Sequence, residues 1–315
     1  MRLVADIGGT NSRLALAAGG TVLSDTLRSY ANDSYASFED VVNAYLRDVT
    51  TGGVEELVIA VAGPVNGIAA RLTNRDWHFN EEELADHLNI ENVRLINDLT
   101  ALGYAAPALQ TSQKAIVIDG HVAKTHLRQS LVVGIGTGFN VSPVLQHGAS
   151  TVCAVSETGH IGMGSGVTSE LERLRPGLSQ DFPTVEHLFS GRGYAAFCAA
   201  ITDGQKRQPA DIITLVQSKQ DDALVKSTDS YAGLIGYLIR DLLLAFMPNA
   251  GIYFAGSVAR EVLSLPAKAQ FEAVLDAPFH IDVSLSCPIW TITDDGAALI
   301  GCANMTIDPD PTDQN

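Results

Sequence analysis

The sequence predicts an α/β protein built from two related domains, and three observations carry that expectation. Short apolar runs of strand character alternate with longer segments of helical periodicity. A unit that reads strand, glycine turn, strand, tight turn, strand occurs at 3–26 and again at 130–155, where the two stretches overlay at an offset of 128 residues. At 315 residues the chain also exceeds the length at which one hydrophobic core usually stops growing.

In chain order, 2–6 is an apolar run that ends in Asp6, 12–18 follows the turn DIGGTN, and 21–29 follows Gly19-Gly20. The segment 37–48 has the apolar spacing of a helix, 56–62 is a strand run, and 81–88 is helical again. A strand at 92–96 leads through Asn97-Asp98 into a helix at 98–109. The second copy of the unit supplies strands at 131–135, 139–146 and 151–155. Helical patterns follow at 184–201 and 229–247, and a last strand run at 251–255 passes through Gly256-Ser257 into a helical segment. Gly19-Gly20 and His147-Gly148 are expected at hairpin turns, where the backbone needs positive φ. The polar tail DPDPTDQN reads as a frayed end.

Hydrophobic residues make up 46% and charged residues 18%, the balance of a chain that folds and not of a disordered one. Acids outnumber bases 36 to 20, a formal charge of −16. Such a field repels a nucleic-acid backbone, although backbone N–H groups or a bound metal ion still hold a small phosphate locally. Cys153, Cys198, Cys287 and Cys302 form no CxxC pair, which argues against a metal knuckle or disulfide framework and for buried thiols in a reducing compartment. Met1-Arg2 runs straight into a strand without a secretory signal pattern, and no apolar stretch approaches the roughly 18 residues of a membrane helix. The expectation is a cytoplasmic protein with neither a membrane nor a nucleic-acid partner.

Four constellations could carry chemistry. In DIGGTN, successive glycines let backbone N–H groups approach an anion, Thr10 adds a donor, and Asp6 could hold the magnesium that accompanies nucleotide phosphates, directly or through water. A hairpin whose turn merely needs glycine, with Asp6 capping it, reads the same stretch without chemistry. The matching turn GIGTGFN at 134–140 favours the phosphate reading, because two glycine-hydroxyl turns stand in equivalent units. Neither turn fits GxxxxGK[ST] or GxGxxG. In LINDLTALGYA, Asp98 is either the N-cap of the following helix or a general base for a hydroxyl nucleophile. In SETGHIGM, Glu157 and His160 on a glycine-containing turn could clamp a polyhydroxyl ligand. A zinc pair is the sharper rival there, but no HExxH or further Cys/His partner lies near in sequence. GIYFAGSVAR brings a strand into Gly256-Ser257, where backbone can pass close to a base or ribose.

Taken in order, ADIGGTNSRLALA, AVAGPVNGIAARLTNRDWHF, LINDLTALGYA, VVGIGTGFNV, SETGHIGM, VEHLFSGRGY, GIYFAGSVAR and DDGAALIGCA resemble the bacterial glucokinase family nearly end to end. The resemblance implies a two-domain actin-like ATPase fold of duplicated ribonuclease-H-like units with an interdomain cleft, divided into 1–106 plus 293–315 and 107–292. It implies ATP-dependent phosphorylation of glucose at the 6-hydroxyl, with Asp98 as the base and Asn97, Asp98, Glu157, His160 and Glu186 on the sugar. Asp6, Gly8, Gly9, Thr10, Asn11, Thr137 and Gly138 would then face ATP and Mg2+, with Gly256 and Ser257 beside the adenosine and Asp6 on the metal side. A homodimer is compatible with it.

The pattern is broken at four places: the family has GEGGH where Ser156-Glu157-Thr158-Gly159-His160 stands, and Gly at the positions of Asn140 and Ser257. These departures keep open a kinase for another hexose or an amino sugar. A third reading, a sugar sensor without turnover, is opposed by the retention of both Asp6 and Asp98. The cysteine-rich zinc motif of the related repressor-kinase families does not follow His160.

Overall fold

The computed structural model describes residues 1–49, 53–72, 75–279, 281 and 287–306, and the tail DPDPTDQN lies outside them. In chain order the first elements are β1 (Arg2–Ile7), β2 (Asn11–Ala18), β3 (Thr21–Val22), β4 (Arg28–Ala31), α1 (Phe38–Asp48) and β5 (Glu56–Val61). Then come β6 (Val65–Asn66), β7 (Ala69–Arg71), β8 (His78–Asn80), α2 (Glu81–Leu88), β9 (Asn92–Asn97) and α3 (Asp98–Ala105). The middle of the chain holds β10 (Lys114–Ile118), β11 (Leu127–Ile135), β12 (Phe139–His147), β13 (Ser150–Cys153), α4 (Ser165–Leu174), α5 (Val185–Leu188) and α6 (Gly191–Thr202). It closes with α7 (Pro209–Gln217), α8 (Asp222–Phe246), β14 (Gly251–Ala255), α9 (Ser257–Ser264), α10 (Lys268–Leu275), β15 (Ile289–Ile292) and α11 (Ala297–Asn304). None of these helices is long and apolar enough to cross a membrane.

The chain divides into two units, one of Met1–Gln110, Ala149–Cys153 and Asp294 onward, the other of Thr111–Gly148 and Ala154–Thr293. In the first unit the main sheet runs β3-β2-β1-β5-β9, with β4 also on β2. β1 pairs antiparallel with β2 and parallel with β5, and β5 pairs parallel with β9. Ile7, Val61 and Asn97 stand level in that register, so three parallel strands end together. The open end of parallel strands is where α/β proteins bind ligands.

Side chains alternate along a strand, and the sequence uses both faces. Leu3, Ala5 and Ile7 are buried with Phe38, Val41 and Tyr45 of α1 and Leu84 of α2. Val4, Ala15, Val58 and Ala60 are buried on the other face with Ala101 of α3 and Ala298, Leu299 and Cys302 of α11. Asp6 falls in step with Val4, which puts it on the α3 side. The α3–α11 crossing is close enough that a Cβ on Gly301 would lie 1.7 Å from the Ala101 carbonyl oxygen. Gly301→Ala must therefore push α3 away, and overpacking of this kind costs about 1–3 kcal/mol. We expect a lower Tm for the variant, read by thermal melting beside the parent chain.

In the second unit the strand order is β10-β15-β14-β11-β12, with β11, β14 and β15 parallel. Its core gathers β11, β12, β14 and the helices around α8, including the fully buried aromatics Phe189, Tyr194, Phe197 and Tyr231. Asp221 caps α8 by accepting the Ala223 and Leu224 N–H groups, so this helix starts seven residues before the expected 229.

Other expectations shift for local reasons. The run 21–29 breaks into β3, a turn and β4, because Thr26 Oγ1 accepts the Leu16 N–H (2.9 Å) and donates to the Leu23 carbonyl (2.6 Å) in place of the ladder. The segment 184–201 breaks into α5 and α6 at Ser190, whose hydroxyl donates to the Glu186 carbonyl (2.8 Å) and accepts the Gly193 N–H (3.2 Å). The two glycine turns also differ in length. Ile7 pairs with Ser12, whereas Ile135 pairs with Phe139, so the second turn is one residue shorter than the overlay at 128 implies. At the following turns Gly19, Gly20 and Gly148 take positive φ, but His147 does not and closes β12 instead. Three of the four cysteines are buried free thiols and Cys153 is half-buried.

Candidate active site

In the first unit the turn between β1 and β2 carries Gly8, Gly9, Thr10 and Asn11, with Thr10 and Asn11 exposed. Neither Gly8 nor Gly9 has positive φ, so backbone freedom does not explain them. What glycine supplies there is an uncovered backbone, the property an anion-binding turn uses. The turn is rigidly held. Gly8 N–H donates to the Asn11 carbonyl at 3.0 Å, and the side chain of fully buried Asn32 donates to the Gly8 carbonyl at 2.9 Å. Asn32 N–H also donates to the Thr10 carbonyl at 2.9 Å, and Ser12 Oγ donates to Asn32 Oδ1 at 2.7 Å. Asn32 is a residue the sequence reading missed; a lone Asn in a polar stretch gives no local sign of reaching back across 24 residues.

Asp6 pairs across the hairpin with Arg13, whose Nη1 lies 3.3 Å from Asp6 Oδ2 and 3.4 Å from the Asp295 carbonyl. Burial pushes the Asp6 carboxyl above its usual range, while Arg13 pulls in the opposite direction.

Asn97 ends β9 and Asp98 opens α3. The N-cap is Asn97, not Asp98: Asn97 Oδ1 accepts the Leu99 N–H at 2.9 Å, and its amide donates to the Gly63 carbonyl at 3.0 Å. With its second N–H turned to the Asp98 carboxyl, the Asn97 side chain keeps one lone pair for a ligand. Asp98 Oδ1 also accepts the Leu99 N–H, at 2.8 Å. Its carboxyl is pushed up to about 6, chiefly by desolvation and further by the charge of Asp6, against the Leu99 N–H and the Asn97 side chain, which lower it. A carboxyl poised near neutrality at the end of parallel strands is suited to take a proton from a hydroxyl.

In the second unit the turn Gly136-Thr137-Gly138 joins β11 to β12, again without positive φ. Thr137 is exposed. Packing accounts for Gly138, where a Cβ would lie 2.8 Å from Glu186 Oε2, whereas one on Gly136 would only make ordinary contact, 3.4 Å from Gly256 Cα. Gly256, at φ +89°, bends β14 into α9 directly against this turn, with a hypothetical Cβ 2.4 Å from the Ile135 carbonyl oxygen. Gly256 and Ser257 are both exposed beside it.

Glu186 has internal work the sequence did not show. Its Oε2 accepts the Phe139 N–H at 3.1 Å, and its Oε1 is bonded to Arg192. Glu157 and His160 are exposed on a short turn whose Gly159 is buried against Glu186, leaving 3.3 Å between a hypothetical Gly159 Cβ and Glu186 Cβ. The second unit thus brings Glu157, His160, Glu186 and the Gly136–Gly138 turn together. The first unit brings Asp6, Asn97 and Asp98 to one end of its sheet.

The glucokinase family model matches residues 3–308. A glucokinase from Caulobacter sp. (strain K31) is 30% identical over 98% of this chain and 95% of its own length. Among solved structures, glucokinase from an Antarctic psychrotroph superposes with TM-score 0.77 at 24% identity, covering 96% of this chain and 97% of that one. A ROK family glucokinase from Streptomyces griseus in complex with glucose and AMPPNP shares the fold, with TM-score 0.62, 19% identity and coverage of 96% and 98%. Near-complete coverage by one family, in sequence and in actin-like ATPase fold, means that the chain belongs to the glucokinase family and is a hexose kinase.

Proposed function

We propose that the protein transfers the γ-phosphoryl group of ATP to the 6-hydroxyl of glucose, with Asp98 as general base. The observation that carries this reading is the placement of Asp98 and Asp6 on one side of the first sheet, at the level ends of β1, β5 and β9. The fold relative that holds glucose and AMPPNP supports the same pair of substrates.

Asp98 accepts the proton of the sugar 6-hydroxyl as that oxygen bonds to the γ-phosphorus and the bridge to the β-phosphate breaks, releasing ADP; the proton then leaves Asp98 for solvent. Holding the attacking oxygen in line and shielding the γ-phosphate from water are the remaining tasks. In the turn braced by Asn32, the N–H groups of Gly9 and Thr10 serve phosphate oxygens, the Gly8 N–H being held by the Asn11 carbonyl, and those of Thr137 and Gly138 do the same in the second unit. Gly256 and Ser257 flank the nucleoside. Asn97, Glu157, His160 and Glu186 hold the other sugar hydroxyls, Glu186 while also fixing the second glycine turn.

Magnesium neutralises phosphate charge when bound with the nucleotide. It commonly takes only one or two carboxylates and keeps its waters, so the single Asp6 carboxylate at a glycine turn fits, and Asp6 would hold it directly or through water.

The test is an ADP-release assay with Mg-ATP over a panel of hexoses, in which glucose should be turned over best. No ADP above the sugar-free rate with any hexose would remove the kinase reading. A base with pKa about 6 must be ionised to work. The rate on glucose should therefore fall about tenfold per pH unit below 6 and level off above it, and a flat profile from pH 5 to 8 would show that Asp98 is not the base.

A further inference from the structure

The three residues that depart from the family pattern around the sugar-side turn, Asn140, Ser156 and Thr158, form a single hydrogen-bonded cluster. Asn140 is the second residue of β12 and faces Gly134 of β11. Its amide donates to the Ser156 carbonyl at 2.5 Å and to Glu157 Oε2 at 3.4 Å. Its oxygen accepts the N–H groups of Val141 at 2.9 Å and Thr158 at 3.1 Å, and the Thr158 hydroxyl lies 3.2 Å away. Two backbone N–H groups on one side, with a carbonyl and a carboxylate on the other, admit only one orientation of the amide. The Ser156 hydroxyl closes the cluster by donating to the Val141 carbonyl at 2.7 Å, with Asn140 Oδ1 3.2 Å away.

One side chain therefore grips the backbone on both sides of Glu157 and also its carboxylate. Buried Gly159 fixes the other end of the turn, because a Cβ there would lie 2.4 Å from the Phe139 carbonyl oxygen. Glu157, itself exposed, gets its direction from this scaffold.

We propose that Asn140 is a positioning residue for Glu157 and thereby a determinant of which hexose the enzyme accepts. The inference rests on the reading of Glu157 as a sugar ligand. By committing Oε2, Asn140 turns the other carboxylate oxygen to a sugar hydroxyl, and a site built around one hydroxyl discriminates steeply against analogues that lack or invert it.

Asn140→Ala should raise KM for glucose about tenfold while leaving KM for ATP within about twofold, and should reorder the rates on glucose, mannose, 2-deoxyglucose and N-acetylglucosamine. Asn140→Asp keeps the shape and the acceptor but turns a carboxylate toward Glu157. It should weaken glucose at least as much, which keeps the test available if the alanine variant folds poorly. The decisive measurement is the cycle with Glu157→Ala, in which removing Asn140 should add less than about twofold to the glucose KM. Additive losses in the double variant, equal loss for ATP, or an unmoved sugar ranking would overturn the proposal. Failure of the kinase reading shows separately, as absent turnover in the parent chain, and calorimetric glucose binding by the same variants then decides the Asn140 question.

Discussion

Asp98→Asn is expected to lower kcat by about 10²- to 10⁴-fold with KM for glucose nearly unchanged, because the amide keeps the shape but cannot accept the proton. The same substitution should stabilise the protein at high pH. Folding raises the Asp98 pKa from 3.8 to about 6, so the group favours the folded state below about pH 4 and that contribution is lost as pH rises through 6. Above pH 6 the ionised carboxylate costs at most about 3 kcal/mol, by the conversion of pKa shift to free energy. The variant should therefore melt above the parent at pH 8, with the gap closing toward pH 4. A residue that served only the helix terminus would behave oppositely, lowering Tm and sparing kcat.

Asp6→Asn is expected to cut kcat/KM for Mg-ATP by about 10²- to 10³-fold, the usual scale for removing one preorganised electrostatic group from a phosphoryl-transfer site. Glucose affinity measured by calorimetry without nucleotide should stay within about twofold of the parent. On the proposed reading the contrast arises because Asp6, paired with Arg13 at 3.3 Å, serves the nucleotide and other side chains hold the sugar. Equal loss of glucose binding would mean that Asp6 holds the hairpin together through Arg13 and does no more.

The α/β class, most strand and helix positions, the two glycine turns and the strand-to-helix step at Asn97-Asp98 were legible in the order of residues alone. These are local signals: alternation of period 2, recurrence near 3.6, and glycine or polar residues at element ends. The shared order of eight motifs also placed the chain in its family, a conclusion that near-complete coverage bears out.

Tertiary structure decided everything that depends on partners far along the chain. It decided that Asn32 reaches back to the first glycine turn and that Glu186 grips the second across 47 residues. It decided that Asn140, Ser156 and Thr158, which read singly as departures from a pattern, are one cluster around Glu157. Strands β10 and β15, nearly 180 residues apart, pair with each other although neither was legible from its own short run. The physical reason is common to all of these. Periodicity is written in neighbouring residues, but desolvation, close glycine contacts and hydrogen-bond partners exist only once packing has brought distant segments together, and those are the terms that set the acidity of Asp98 and the direction of Glu157.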